Sequence, residues 1–361
     1  MRRKRKGLII VIICLTLLVL ISNLVLAGSG EKLNVIETIN LVLKENHELQ
    51  IAKLELANAE IEYQKSQANN LTAQSRAAEL EAKANLLQAQ NQYYETQADL
   101  IKEGLTKYGA VRLAKQNIAV KQTEKRLEKL RLDKIKTQLK QGHKNNLDLI
   151  EQMNEYQDVE VNFNQAEDTY QQALRELKFI INYNEEKNLE LQPLTAVELW
   201  QITEQEVLQC GLESSLELKL AAERIAAAKQ KLTKLKQIAT PKLELKTAEN
   251  ELQIAKLDKN SIKREVKTAL YSNYDDFKHM IKQLNLRAEN LSEVRENQKR
   301  IAQQQKKGLA SREELLAVEV QLLQAKYDYQ SAVVDYYSWQ LELKVAMQEE
   351  VEGLLDALPE K

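Results

Sequence analysis

Between Pro241 and Gly308 the chain contains no other glycine or proline, and Val266, Leu270, Tyr274, Phe277, Ile281, Leu284, Ala288, Leu291 and Val294 recur in steps of three and four. The mean step is close to 3.5, the period at which apolar side chains hold one seam of a supercoiled helix. At about 1.5 Å per residue the stretch makes a helix of roughly 100 Å. A chain built on such an element is elongated. With 9 Gly and 3 Pro in 361 residues there is little to punctuate it into short elements, and its core is a narrow seam drawn out by length.

The pattern occurs twice. At a constant offset of 166, Gly142 pairs with Gly308, Asp148 with Glu314, Leu149 with Leu315, Ile150 with Leu316, Ala166 with Ala332, Tyr170 with Tyr336 and Leu177 with Leu343, and Tyr108 with Tyr274 extends the match upstream. Coincident Leu and Ala are common in helical sequence, whereas Gly and Tyr are scarce here and carry the argument for a duplication. The first outgoing helix runs from about Ala73 to Gln141, and Gly104 and Gly109 are expected to bend or loosen it.

Each outgoing helix then turns at a glycine. Gly142 and Gly308 suit the left-handed position that ends a helix, and Asn145, Asn146 and Ser311 suit the cap of the next one. Asp148, Glu313 and Glu314 come next, in the first turn, where negative charge suits the helix dipole. The returning helices, about Leu147 to Ile181 and Glu313 to Met347, are half as long as the outgoing ones. Short helices at about Glu48 to Ala68 and Leu216 to Ile238 precede the outgoing ones, so short and returning helices could stack end to end beside a long one. The expected fold is all-α: two tandem repeats of long antiparallel coiled-coil hairpins, 28–182 and 204–350, joined by a segment at 183–203 containing Pro193 and Trp200 and ending in a tail at 351–361.

Lys plus Arg number 52 and Asp plus Glu 53, interspersed along the helices, which argues against nucleic acid as a partner. Residues 1–27 read as an export signal: Arg2, Arg3, Lys4, Arg5 and Lys6 precede an apolar run from Leu8 to Ala27, with small residues placed for cleavage between Ala27 and Gly28. The run is also about as long as a bilayer span, so an uncleaved anchor in the cytoplasmic membrane stays open. In either case the chain beyond Gly28 is exported to the cell envelope. Cys14 lies in the leader; Cys210 is alone after it and reads as a small apolar residue.

Several stretches together resemble the TolC-like outer-membrane efflux proteins across the exported region. Leu33 to Ile39, then Leu43-Lys44-Glu45-Asn46-His47-Glu48-Leu49 with Ala52, is similar to the family's opening, with His47 where proline is usual. Pro241-Lys242-Leu243-Glu244-Leu245 resembles its Pro-x-Leu-x-Leu lead-in to membrane strands, and Gly-x-x-Ser/Asn-x-x-Asp/Glu-Leu-Leu/Ile appears at Gly142 to Ile150 and at Gly308 to Leu316. The resemblance implies a homotrimer with a twelve-helix tunnel, passing small molecules or polypeptide passively, with a periplasmic adaptor and an inner-membrane pump as partners. It makes Gly142, His143, Asn145, Asn146, Asp148, Gly308, Leu309, Ser311, Arg312 and Glu314 the adaptor-docking tips. It also exposes a departure. The family inserts two membrane strands between each short and long helix, about 10 residues each, and the junctions at Asn69 to Ala73 and Gln237 to Pro241 have no room for them. Leu243 and Leu245 are the expected remnant of one strand, and the β-barrel is absent or vestigial.

No catalytic, metal-binding or cofactor constellation is present in the sequence: His47, His143 and His279 are far apart and lack carboxylates or cysteines at ligand spacing. Tyr327, Tyr329, Tyr336, Tyr337 and Trp339 read as packing in a helical seam. The competing reading is a membrane-anchored coiled-coil scaffold that does not transport.

Overall fold

The computed structural model describes residues 31–73, 76–184, 187–194, 198–238, 240–355 and 358. The leader and its cleavage site at Ala27 and Gly28 lie outside the described residues. The chain forms β1 (Glu31–Leu33), α1 (Val35–Glu45), α2 (His47–Ala73), α3 (Arg76–Lys140), α4 (Asn146–Ile180), β2 (Leu189–Leu191), α5 (Glu204–Ser214), α6 (Leu216–Gln237), α7 (Lys242–Lys306), α8 (Arg312–Ala346) and α9 (Val351–Leu355). The two long helices have 65 residues each and the two returning helices 35 each. Both pairs are separated by the same 166 positions, whereas α1 with α5 and α2 with α6 begin 169 apart, so the two units differ by three residues before the long helix.

The helices lie side by side in one layer. The end of α4 meets the start of α2, where Asn182 Nδ2 donates to Glu45 Oε2 at 3.2 Å and Leu49, Leu177 and Ile181 share a core. The end of α8 meets the start of α6 in the same way, with the Leu216 backbone N–H donating to Gln348 Oε1 at 2.6 Å. Each short helix thus continues the line of a returning one. Helix α3 packs between the α2/α4 column and the α6/α8 column, and α7 lies on the far side of α6/α8. The order across the layer is α2/α4, α3, α6/α8, α7.

The thickest part of the core lies where α1, α5, β1, β2 and α9 cross this layer. Tyr108, Leu270, Phe277, Tyr336 and Leu341 are buried there with Leu354 and Leu358 of the C-terminal segment. Trp200, Phe277, Tyr336 and Tyr337 form a chain of ring contacts, two tilted and one edge-on, with centroids 5.4–5.6 Å apart, so Tyr336 and Tyr337 of the aromatic stretch pack in the core, with Tyr329 and Trp339 partly buried against it. The Trp200 N–H donates to Tyr336 Oη at 2.8 Å, and Tyr108 Oη donates to the Gln192 carbonyl at 2.6 Å. These bonds pin the linker between the two units onto the wall.

Three expectations need correction. Gly104 and Gly109 do not interrupt α3, which is continuous through both. They are sites of close approach: a Cβ at Gly104 would sit 2.8 Å from Ile39 Cγ1 on α1, and one at Gly109 2.7 Å from Val334 Cγ1 on α8. Leu243 and Leu245 are in the first turn of α7, not in a strand. Cys210 is exposed on α5 rather than packed as an apolar residue. Strand among the described residues is confined to β1 and β2, which pair in parallel from Glu31–Leu189 to Leu33–Leu191.

The glycine contacts decide the sign of a substitution. In a free helix Gly→Ala stabilises by about 1 kcal/mol. At Gly104 the added methyl overlaps Ile39, a fully buried β-branched side chain with little room to turn, and overpacking costs about 1–3 kcal/mol. Gly104→Ala is therefore expected to lower the thermal midpoint followed by far-ultraviolet circular dichroism, and a raised midpoint would show that the contact is loose.

Candidate functional site

The two hairpin turns are built alike. After α3, Gly142 has φ +76°, its N–H donates to the Leu139 carbonyl at 3.0 Å, and the His143 N–H donates to the Gln138 carbonyl at 2.9 Å. After α7, Gly308 has φ +74°, its N–H donates to the Gln305 carbonyl at 3.0 Å, and the Leu309 N–H donates to the Gln304 carbonyl at 2.9 Å. This is the paired closure that a left-handed residue allows at a helix end. Nothing lies within 4 Å of a Cβ built on either glycine, so backbone conformation, not space, is what a side chain there would disturb.

The helices leaving the turns carry reciprocal caps. Asn145 Oδ1 accepts from the Asp148 N–H at 3.0 Å while Asp148 Oδ2 accepts from the Asn145 N–H at 2.9 Å. Ser311 Oγ accepts from the Glu314 N–H at 3.1 Å while Glu314 Oε2 accepts from the Ser311 N–H at 2.6 Å. The Asn145 N–H and then Lys144 hold the Asp148 carboxyl below its ordinary range, and the Ser311 N–H does the same for Glu314. His143, Asn146, Leu309 and Arg312 are exposed at the turns, Leu309 with three quarters of its surface free.

The two tips sit at the same end of the wall and are tied together. Glu313 accepts from Lys134 Nζ and from Arg131 Nε, both at 3.0 Å, and Arg131 also contacts Glu128 at 2.7 Å. Lys134 and then Arg131 lower the Glu313 carboxyl, consistent with one acid serving two cations. In the sequence Glu313 stands out only as a first-turn acid. Its partners on α3 are visible once the returning helix of one hairpin is placed beside the outgoing helix of the other.

At the other end of the returning helices the two halves of the chain match in backbone detail. Asn182 has φ +49° and Gln348 φ +54°, and four residues before each stands a lysine. Lys178 Nζ donates to the Lys187 carbonyl at 2.6 Å and lies over the Tyr183 ring, while Lys344 Nζ donates to the Gly353 carbonyl at 3.0 Å and lies over the Trp200 ring. Both lysines are 166 apart, a match the sequence contains and the scarcer Gly and Tyr pairs overshadow.

The flanks of the wall are the second feature. The large exposed apolar side chains along the described helices are Ile51, Leu54 and Ile61 on α2, Leu147, Ile150, Met153, Val161 and Phe179 on α4, and Ile254, Leu257, Tyr271 and Leu286 on α7, with Leu243 apart from them in the first turn of α7 at the junction end. Among the described residues none falls on α3, α6 or α8, which have neighbours on both sides. On α7 the exposed set lies away from Leu270, Phe277, Leu284 and Leu291, the buried seam that repeats every seven residues. Heights also correspond. Ile254 and Ile61 are each about 18 Å of helix from the junction end of the wall, and Leu286 and Val161 are roughly 30 and 22 Å from the tips.

Among the described residues no helix is long and apolar enough to cross a membrane, and no group of His, Cys, Asp and Glu is arranged to hold a metal ion. The junctions between α2 and α3 and between α6 and α7 span only residues 74–75 and 238–241, too few for strands that need about 9–11 residues each to cross a bilayer.

No protein-family model matches the sequence, and no curated protein matches it. Solved structures do match the fold. The outer membrane protein VceC of Vibrio cholerae aligns with TM-score 0.60 at 12% identity, covering 87% of this chain and 95% of that one. The Campylobacter jejuni CmeC outer membrane channel aligns with TM-score 0.59 at 11% identity, covering 90% of each chain. The open state of the Neisseria gonorrhoeae MtrE outer membrane channel aligns with TM-score 0.58 at 15% identity, covering 89% of each. The chain thus has the fold of the TolC-like outer-membrane channels, with no barrel strands among its described residues.

Proposed function

We propose that this chain is one third of a closed helical conduit in the cell envelope, through which small molecules or polypeptide pass without chemistry on the protein's part. The observation that carries the reading is the distribution of exposed apolar side chains, which gather on α2/α4 at one flank of the wall and on α7 at the other. Different flanks that complement each other make a heterologous contact, and such a contact either closes into a ring or grows without end. Three walls four helices wide give the twelve-helix tunnel that the family resemblance implies.

In this assembly energy comes from a pump in the inner membrane, and the tips dock the periplasmic adaptor. Gly142, His143, Asn145, Asn146 and Asp148 present one docking turn, and Gly308, Leu309, Ser311, Arg312 and Glu314 the other. The caps and paired glycines hold both turns in fixed shape, and the exposed His143, Asn146, Leu309 and Arg312 offer the contacts. The channel neighbours support an exported, membrane-associated location and a non-enzymatic role. Light scattering on the exported region is expected to give the mass of three chains; one or two chains at high concentration would remove the conduit.

A further inference from the structure

The end of the wall opposite the tips carries a feature that the conduit does not use. From Ala226 to Lys246, across the turn between α6 and α7, the chain has six lysines, at 229, 231, 234, 236, 242 and 246, against the single acid Glu244. Ile238 and Leu243 stand among them, 56% and 83% exposed. Lys231, Lys236 and Lys246 reach acids on α7, at Glu251 and Glu249, while Lys234 and Lys242 make no ion pair among the described residues. The equivalent stretch of the first unit, residues 60–80, has only Lys65 and Arg76 against Glu60, Glu62 and Glu79, and so no such cluster. Both turns are at the same end, because Leu80 and Ala84 of α3 face Leu235 and Ile238 across a cleft.

We infer that the α6–α7 turn is a contact site for an anionic phospholipid surface. Two exposed apolar side chains at a turn with lysines in both flanking helices match the headgroup boundary of a bilayer: the apolar groups enter it, and the free ammonium groups of Lys234 and Lys242 stay with the phosphates. A second copy of the same turn is disfavoured, since equal clusters of positive charge would face each other. The site also lies at the end of the long helices, so it meets a surface head-on and leaves the flanks of the wall free. It is carried by one chain and does not depend on how many chains form a ring.

The test places a reporter in the turn of the exported region, residues 28–361, so that the basic and apolar leader does not itself bind the vesicles. Leu243→Trp adds a third tryptophan to Trp200 and Trp339, whose emission in the parent chain is the baseline. Vesicles of phosphatidylcholine, with or without phosphatidylglycerol, carry brominated acyl chains that quench only an indole at their depth. Strong quenching of the added tryptophan is expected with phosphatidylglycerol, and it is expected to be lost at high salt. Lys234→Glu with Lys242→Glu in the same chain is expected to weaken vesicle binding at least about tenfold, with the helical spectrum unchanged. Absence of quenching, equal quenching on phosphatidylcholine alone, or indifference to the two lysines would overturn the assignment. So would an emission change that tracks protein concentration without vesicles, which marks a second copy as the occupant.

Discussion

Leu257→Glu with Leu286→Glu is expected to yield a folded monomer. Both leucines are 56% exposed in the single chain, on the side of α7 away from its buried seam. The substitutions therefore remove nothing from the core of one chain, and the helical spectrum and thermal midpoint should stay close to those of the parent. In the ring proposed above both positions would face α2/α4 of the next chain. Burying a leucine contributes about 1.5–3 kcal/mol, and an unpaired carboxylate put in its place adds a desolvation cost. Two sites repeated at every interface weaken assembly by several orders of magnitude. Light scattering should show one chain over concentrations at which the parent shows three. Retention of the trimer would mean that α7 is not an assembly surface.

The second large effect is inside the chain. Phe277 is fully buried on α7, with its ring 5.5 Å from that of Trp200 and 5.6 Å from that of Tyr336. It joins the inter-unit linker, α7 and α8, so three segments lose a common neighbour if it is truncated. Phe→Ala at a buried site costs about 3–5 kcal/mol, through lost transfer energy and the cavity left behind. Phe277→Ala is expected to lower the unfolding free energy measured in urea by that amount. A loss under about 1 kcal/mol would show that the linker is not pinned at this point.

The long helices and their turns are legible in the sequence because the signals are local and repeated. Absence of Gly and Pro, a 3.5-residue seam, and a glycine succeeded by Asn or Ser with an acid three residues on all act within one or two helical turns. The features hidden in the sequence are set by partners far along the chain. β1 and β2 are three residues each and meet across the whole first unit, so no alternation announces them. Gly104 and Gly109 have the form of weak points in a helix and become contact points only when Ile39 and Val334 are set against them. Leu243 and Leu245 match a strand lead-in by motif, yet they stand two and four residues after Pro241 with helical sequence beyond them, and the helix takes them. At the tips the caps are readable from residue type, while the pairing of Glu313 with Arg131 and Lys134 needs the two hairpins side by side.

The ring itself is tested most directly by joining its flanks. In a chain with Cys14 and Cys210 replaced by serine, Val161→Cys and Leu286→Cys place one thiol on α4 and one on α7, at similar distances from the tips. With a short thiol-reactive cross-linker the doubly substituted chain should give covalent dimers and trimers in a ladder that stops at three, while either substitution alone gives neither. A ladder that runs past three, or equal dimers from one substitution alone, would contradict the closed trimeric wall.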